Sequence, residues 1–172
     1  MKLFIASDIH GSAYYCRRMI EKYKESGAER LVLLGDILYH GPRNDLPGEY
    51  APKEVISMLN QMSSEIIAVR GNCDTEVDQM VLTFPILQEQ ALIADGEHRI
   101  FLIHGHKGLA ELESILTEKD VIIHGHTHVP CDRTGVNGCR VLNPGSTSIP
   151  KEKSLHSYLV YENGAFTRGS LD

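Results

Sequence analysis

The sequence predicts a single α/β domain over residues 1–172, with two mixed sheets face to face and helices outside, and two textures along the chain predict it. In the first half, apolar runs alternate with helical patterns, the rhythm of parallel strands joined by crossover helices. In the second half, Asp95-Gly96, Asn137-Gly138 and Asn163-Gly164 each fall between short alternating runs and signal tight hairpins. A chain of 172 residues with 42% hydrophobic content is enough for one sizeable core without staples.

Taken in order, KLFIAS reads as the first strand and is followed by a helix from about Ser12 to Ser26, which Gly27 should stop. LVLLG is the second strand. The stretch YHGPRNDLPGEYAP, Tyr39 to Pro52, holds too much Gly and Pro for either element and forms a long loop, a kind that is usually functional. A second helix runs from about Pro52, which suits a first-turn position, to Asn60, and EIIAVRGN is the third strand. From Ala91 onward mostly antiparallel strand is expected. A short helix interrupts it over Gly108 to Lys119, where Leu109, Leu112, Ile115 and Leu116 fit the helical period.

Composition narrows the function. The 23 acidic residues against 17 basic ones give a formal charge of -6, which opposes tight binding to nucleic acid backbones or anionic membranes and favours a small substrate or bound cations. No apolar run approaches the roughly 20 residues of a membrane span. Cys16, Cys73, Cys131 and Cys139 form no CxxC pair, and KLFIAS is not preceded by a basic-then-apolar leader, so a reducing cytoplasm is expected. The sequence leaves room for a homo-oligomer.

Polar residues collect after five apolar strands: SDIH after KLFIA, GD after LVLL, RGNCD after EIIAV, HGH after IFLI and HGHTH after VII. Sites in open sheets form beyond the carboxyl ends of strands, so the five clusters should share one rim. Together they offer the carboxylates of Asp8 and Asp36, the amide of Asn72, and the imidazoles of His10, His104, His126 and His128. Mixed oxygen and nitrogen donors suit manganese, iron, cobalt, nickel or zinc better than calcium or magnesium. Each cluster alone reads equally well as a turn or a strand cap; the ordered set is what points to metal.

The order D-x-H (Asp8, His10), G-D (Asp36), G-N (Asn72), H-G (His104) and G-H-x-H (His126, His128) resembles the calcineurin-like metallophosphoesterase superfamily. GDILYHGPRN, VRGNCD, LIHGH, IHGHTHVP and LNPGSTSIPK are similar to the small bacterial phosphodiesterases of the YfcE type over essentially the whole chain. The resemblance implies a layered α-β-β-α sandwich and two divalent ions, manganese first, bridged by Asp36. Asp8, His10 and His128 would complete one site, and Asn72, His104 and His126 the other. The activity implied is hydrolysis of a small phosphate diester by a metal-bridging hydroxide. A noncatalytic protein-interaction module on the same fold is the alternative, as the related retromer subunit illustrates.

Catalytic roles then fall on Asp36, Cys73 and His10. Many members of the superfamily carry histidine where this chain has Cys73, so the acid that protonates the leaving group is unassigned and could pass to His10 or to water. Cys73 itself could ionise near two cations, or be a small buried apolar residue. Arg43 is the candidate contact to a nonbridging phosphate oxygen, and His40 could serve the same pocket. His106 is expected to support His104 as an orienting partner. NPGS at Asn143 to Ser146 is a candidate turn placed against the site, although the bare string says only turn, and His98 and His156 are expected at the surface.

Overall fold

A computed structural model describes residues 1–172 as ten strands, four α-helices and two short 3-10 turns. Strands β1 (Lys2–Ala6), β2 (Arg30–Leu33), β3 (Ile66–Ala68), β9 (Ser157–Glu162) and β10 (Ala165–Ser170) form one sheet in the order β10-β9-β1-β2-β3. Its β1, β2 and β3 are parallel, while β9 and β10 are antiparallel to their neighbours. Strands β4 (Gln90–Asp95), β5 (His98–Ile103), β6 (Asp120–Ile123), β7 (Cys131–Thr134) and β8 (Arg140–Asn143) form the second, ordered β4-β5-β6-β8-β7.

Strand periodicity makes the layers. On β1, Leu3 and Ile5 face the core between the sheets, where they meet Val32, Leu34, Ile100, Leu102, Ile123 and Leu142. Phe4 and Ala6 face the other way, into the core beneath α1 (Ala13–Ser26) and α2 (Pro52–Asn60), against Met19, Tyr23, Val55 and Leu59. Across the second sheet, Leu109 and Leu112, at the start of and within α4 (Ala110–Ile115), pack on Leu116, Ile122 and Val141. Each of these large side chains contributes on the order of 1.5–3 kcal/mol of burial. The result is the expected α-β-β-α sandwich.

Helix α1 begins where Ser12 accepts a hydrogen bond from the Tyr15 N–H and ends where Gly27, at φ 68°, donates to the Lys24 carbonyl. Helix α2 has the expected bounds, with Pro52 in its first turn. The long loop is real, and Ser12 holds it by donating from its hydroxyl to the Gly48 carbonyl at 2.6 Å.

The second half is mostly antiparallel as expected, through the pairs β4/β5, β7/β8, β9/β10 and β1/β9, but β5, β6 and β8 run parallel through the centre of the second sheet. The hairpin dipeptides report the edges, not the centre. Asn163 and Gly164, both at positive φ, join β9 to β10 as a two-residue turn, whereas Asn137-Gly138 lies inside the longer connection Gly135–Cys139. The helix expected over Gly108–Lys119 stops at Ile115, because Leu116 turns to an extended conformation and buries its side chain, leaving Ile115 exposed. A short helix α3 (Glu76–Gln79) was not expected, although its Thr75/Asp78 capping box is visible in TEVD.

Candidate metal centre

The residues after β1, β2, β3, β5 and β6 converge on one rim, and backbone bonds stitch their loops together. The His10 N–H donates to the Asp36 carbonyl at 2.9 Å, and the Gly125 N–H to the His104 carbonyl at 3.0 Å. Close approach of the loops demands glycine at two points: a Cβ on Gly71 would collide with the Asp36 carboxylate, and one on Gly125 with the Ser7 hydroxyl. The donors themselves take the sharp turns. Asp8, His10, Asp36, His126 and His128 all have φ between 49° and 67°, the left-handed region that costs a non-glycine residue about 1–3 kcal/mol.

Within the rim, His128 Nε2 lies 3.3 Å and His10 Nε2 3.7 Å from Asp8 Oδ1. Asp36 Oδ2 lies 3.7 Å from His10 Nε2 and 3.4 Å from His104 Nε2, so this carboxylate stands between two imidazoles. Asn72 Oδ1 is 3.1 Å from His104 Nε2, and the His126 ring centre is 5.1 Å from that of His104. All seven expected donors are thus brought together. Cys73 joins them, its sulfur grouped with donor atoms of His10 and Asp36 that all lie within 4.8 Å of one another.

Three of the imidazoles are oriented by backbone carbonyls. Nδ1 of His10 donates to Tyr39 at 2.7 Å, that of His104 to Leu34 at 2.7 Å, and that of His128 to Ile149 at 2.6 Å. With the Nδ1 proton so placed, each Nε2 presents a lone pair inward, the tautomer a metal ligand requires. His106 does not orient His104: the two rings stand 5.5 Å apart with no hydrogen bond, and the Leu34 carbonyl takes that part.

Does this donor set fit a cation? The Nε2 atoms of His10 and His128 are 3.2 Å apart, and both are acceptors once their Nδ1 protons are committed, so they repel unless a positive charge lies nearby. Asp8 Oδ1 is buried without a hydrogen-bond partner, a state that costs free energy unless a cation meets it. The fit is good.

Proton affinities tell the same story. Burial alone would raise the Asp8 carboxyl, but the imidazoles of His10 and His128 beside it hold it well below the usual range. Burial likewise opposes ionisation of Asp36, and the neighbouring His104 outweighs it. Burial disfavours charge on His104, yet the adjacent carboxylates of Asp36 and Asp8 raise it to about 9, so a proton and a cation compete for its Nε2. The cavity draws positive charge to itself. Burial, reinforced by the Asp36 charge, pushes the Cys73 thiol up to about 12.

The rim opens into a cavity of about 370 Å³ lined by Arg43, Asn44, Asn72, Cys73, Lys151 and the imidazoles of His10, His126 and His128, among others. Arg43 is the one arginine of the chain whose side chain has no intramolecular partner; the others hold carboxylates or carbonyls. His40 stands apart from the lining: its ring packs edge-on against Tyr39 and Tyr50, and it reaches the cavity only through its carbonyl, which accepts from Asn44 at 2.8 Å. His98 is exposed as expected, but His156 is half-buried and stacks on Tyr15 at 3.8 Å.

Asp74 and Lys151 escaped the sequence reading, and the NPGS turn lies against the site as expected. Asp74 accepts from the N–H groups of Asp36, Ile37 and Gly71 at 2.8, 2.9 and 2.8 Å, tying the loop after β3 to the loop after β2. In the NPGSTS segment, the Ser146 and Ser148 hydroxyls donate to the Asp8 carbonyl at 3.0 and 3.2 Å. Lys151, close behind, lines the cavity. Of the two that escaped, only the Asp after GNC was visible as a signal, and a lone Asp there reads as turn.

Opposed sheets that bring aspartate, asparagine and histidine to one rim define a metal-dependent phosphoesterase. The chain belongs to the calcineurin-like phosphoesterase superfamily, whose domain model matches residues 1–164. It is 48% identical over 164 residues to phosphodiesterase YfcE of Escherichia coli strain K12, covering 95% of this chain and 88% of that protein. The solved structure of the E. coli YfcE phosphoesterase superposes with a TM-score of 0.93 at 44% identity, over 100% of this chain and 94% of that one. Vps29 of Entamoeba histolytica, solved in complex with zinc, has a TM-score of 0.62 at 19% identity and covers 100% of both chains; it shares the fold alone.

Proposed function

We propose that the chain is a phosphodiesterase acting on a small diester with two divalent ions bridged by Asp36. Asp8, His10 and His128 complete one site, and Asn72, His104 and His126 the other. The observation that carries this reading is the close approach of His10 Nε2 and His128 Nε2, 3.2 Å apart beside the unpartnered oxygen of Asp8. Two ions so held supply hydroxide at neutral pH and offset the charge developing on the phosphoryl oxygens. Manganese is the first candidate, with iron, zinc, nickel and cobalt as alternatives suited to the same donors.

The chain's own groups do the rest. The Cys73 N–H fixes Asp36 Oδ1 at 2.8 Å and leaves Oδ2 to face His10 and His104. Arg43, unpaired and on the cavity wall, holds a nonbridging oxygen of the substrate. His10 gives its Nδ1 proton to Tyr39 and presents only a lone pair inward, so it serves as ligand and not as acid. Cys73 supports the cavity as a buried side chain, with the Asn72 amide donating to its sulfur at 3.3 Å. None of the four ligand imidazoles is then free to protonate the leaving group, which favours diesters of acidic alcohols. The four cysteines are all free, which suits a reducing cytoplasm.

Two measurements test this. Treatment with a chelator should cut turnover of bis(p-nitrophenyl) phosphate by at least about 100-fold, with recovery on adding manganese; undiminished turnover in chelator would sink the mechanism. Cys73→Ser should retain turnover within about tenfold, since no proton or bond depends on the sulfur. A loss beyond about 1000-fold would instead make Cys73 the nucleophile.

A further inference from the structure

We infer that Lys151 selects diesters that carry a second phosphate, a monoester on one arm of the substrate, beside the bond that is cut. The inference rests on the diesterase reading of the cavity and extends it to the class of substrate.

Lys151 is exposed at the edge of the same cavity that Arg43 lines, and comes from a different segment, the one that follows Asn143-Pro144-Gly145-Ser146. Its position is built in. The Lys151 N–H donates to the His128 carbonyl at 3.2 Å, and His128 Nδ1 donates back to the Ile149 carbonyl at 2.6 Å, so one segment both orients a candidate ligand and delivers the lysine. On its far side, the Ser154 N–H and hydroxyl donate to the Lys151 carbonyl at 3.0 and 2.7 Å. Glu152 and Lys153 follow at φ 54° and 60°, a left-handed turn that side-chain-bearing residues rarely take.

Charge then identifies the missing partner. Lys2, Lys22, Lys107 and Lys119 are paired with glutamates. Lys151 has no carboxylate within reach, in a chain where 23 acidic residues outnumber 17 basic ones. Lys24, Lys53 and Lys153 are also unpaired, but none of them lines this cavity. A phosphate diester brings a single negative charge, which the ion pair and Arg43 already meet. Lys151 is therefore left to a further anionic group on the ligand, and an ammonium is a point charge well suited to a phosphate monoester.

The test uses the manganese-loaded protein and two nucleotides that differ by one phosphate, thymidine 5′-monophosphate and thymidine 3′,5′-bisphosphate, with affinities measured by titration calorimetry. The wild-type chain should bind the bisphosphate about tenfold more tightly, about 1.4 kcal/mol. Lys151→Met should abolish that ratio while Lys151→Arg keeps it. Equal affinities in the wild-type chain, or a preference that survives in Lys151→Met, overturn the inference. The diesterase reading fails by a different sign, which is the absence of turnover of both thymidine 5′-(p-nitrophenyl phosphate) and its 3′-phosphorylated form. The binding ratio does not depend on turnover.

Discussion

Asp36→Asn should lower kcat/KM for an activated diester by about 1000-fold, about 4 kcal/mol, and reduce the metal content of the purified protein from two ions to one or none. The carboxylate stands 3.4 Å from His104 and 3.7 Å from His10, so it is the group placed to belong to both halves of the centre. Two divalent ions held close together repel, and only an anionic oxygen shared between them offsets that repulsion. Asparagine keeps the shape and the bond from the Cys73 N–H but removes the charge. Far-UV circular dichroism should be unchanged, which separates a lost bridge from a lost fold. Two ions and full activity in the variant would show that Asp36 bridges nothing.

Asp74→Ala is expected to destabilise the metal-free protein by about 3–5 kcal/mol, read as a fall of about 10 °C in melting temperature. The side chain is buried, and its two oxygens accept from three buried backbone N–H groups. Truncation leaves all three donors without partners, each costing about 1–3 kcal/mol less whatever water recovers. Asp74→Asn retains one acceptor oxygen and should fall between. Since one of the three donors is the N–H of Asp36, metal affinity should decline along with stability. A loss below about 1 kcal/mol in urea unfolding would mean the loops after β2 and β3 hold together without this carboxylate.

Much of this was legible in the chain. Pro52, Gly27 and the 3.6-residue spacing located α1 and α2, because end signals and burial pattern agreed there. The seven donors could be read because each follows an apolar strand, and strand ends in parallel sheets share a rim. What escaped was tertiary. The parallel centre of the second sheet leaves only a weak mark, the continuous Val-Ile-Ile run of a strand buried on both faces, too short to outweigh the hairpin signals around it. The partners that orient His10, His104 and His128 are carbonyls of Tyr39, Leu34 and Ile149, and every residue has a carbonyl. His106 drew attention because it is a histidine near another; the group that performs the task has no side-chain signature. Asp74 and Lys151 matter through what the fold sets against them, an array of amides in one case and a cavity in the other.

Five of the seven donors reside on left-handed backbone, and that has a bearing on how an ion is captured. The unfavourable torsions are accepted while the chain folds, so little reorganisation is left for the moment of entry. An ion entering such a preformed nest chiefly exchanges its hydration shell for fixed oxygens and nitrogens. Selection among transition metals then follows cellular supply more than any closing motion of the protein.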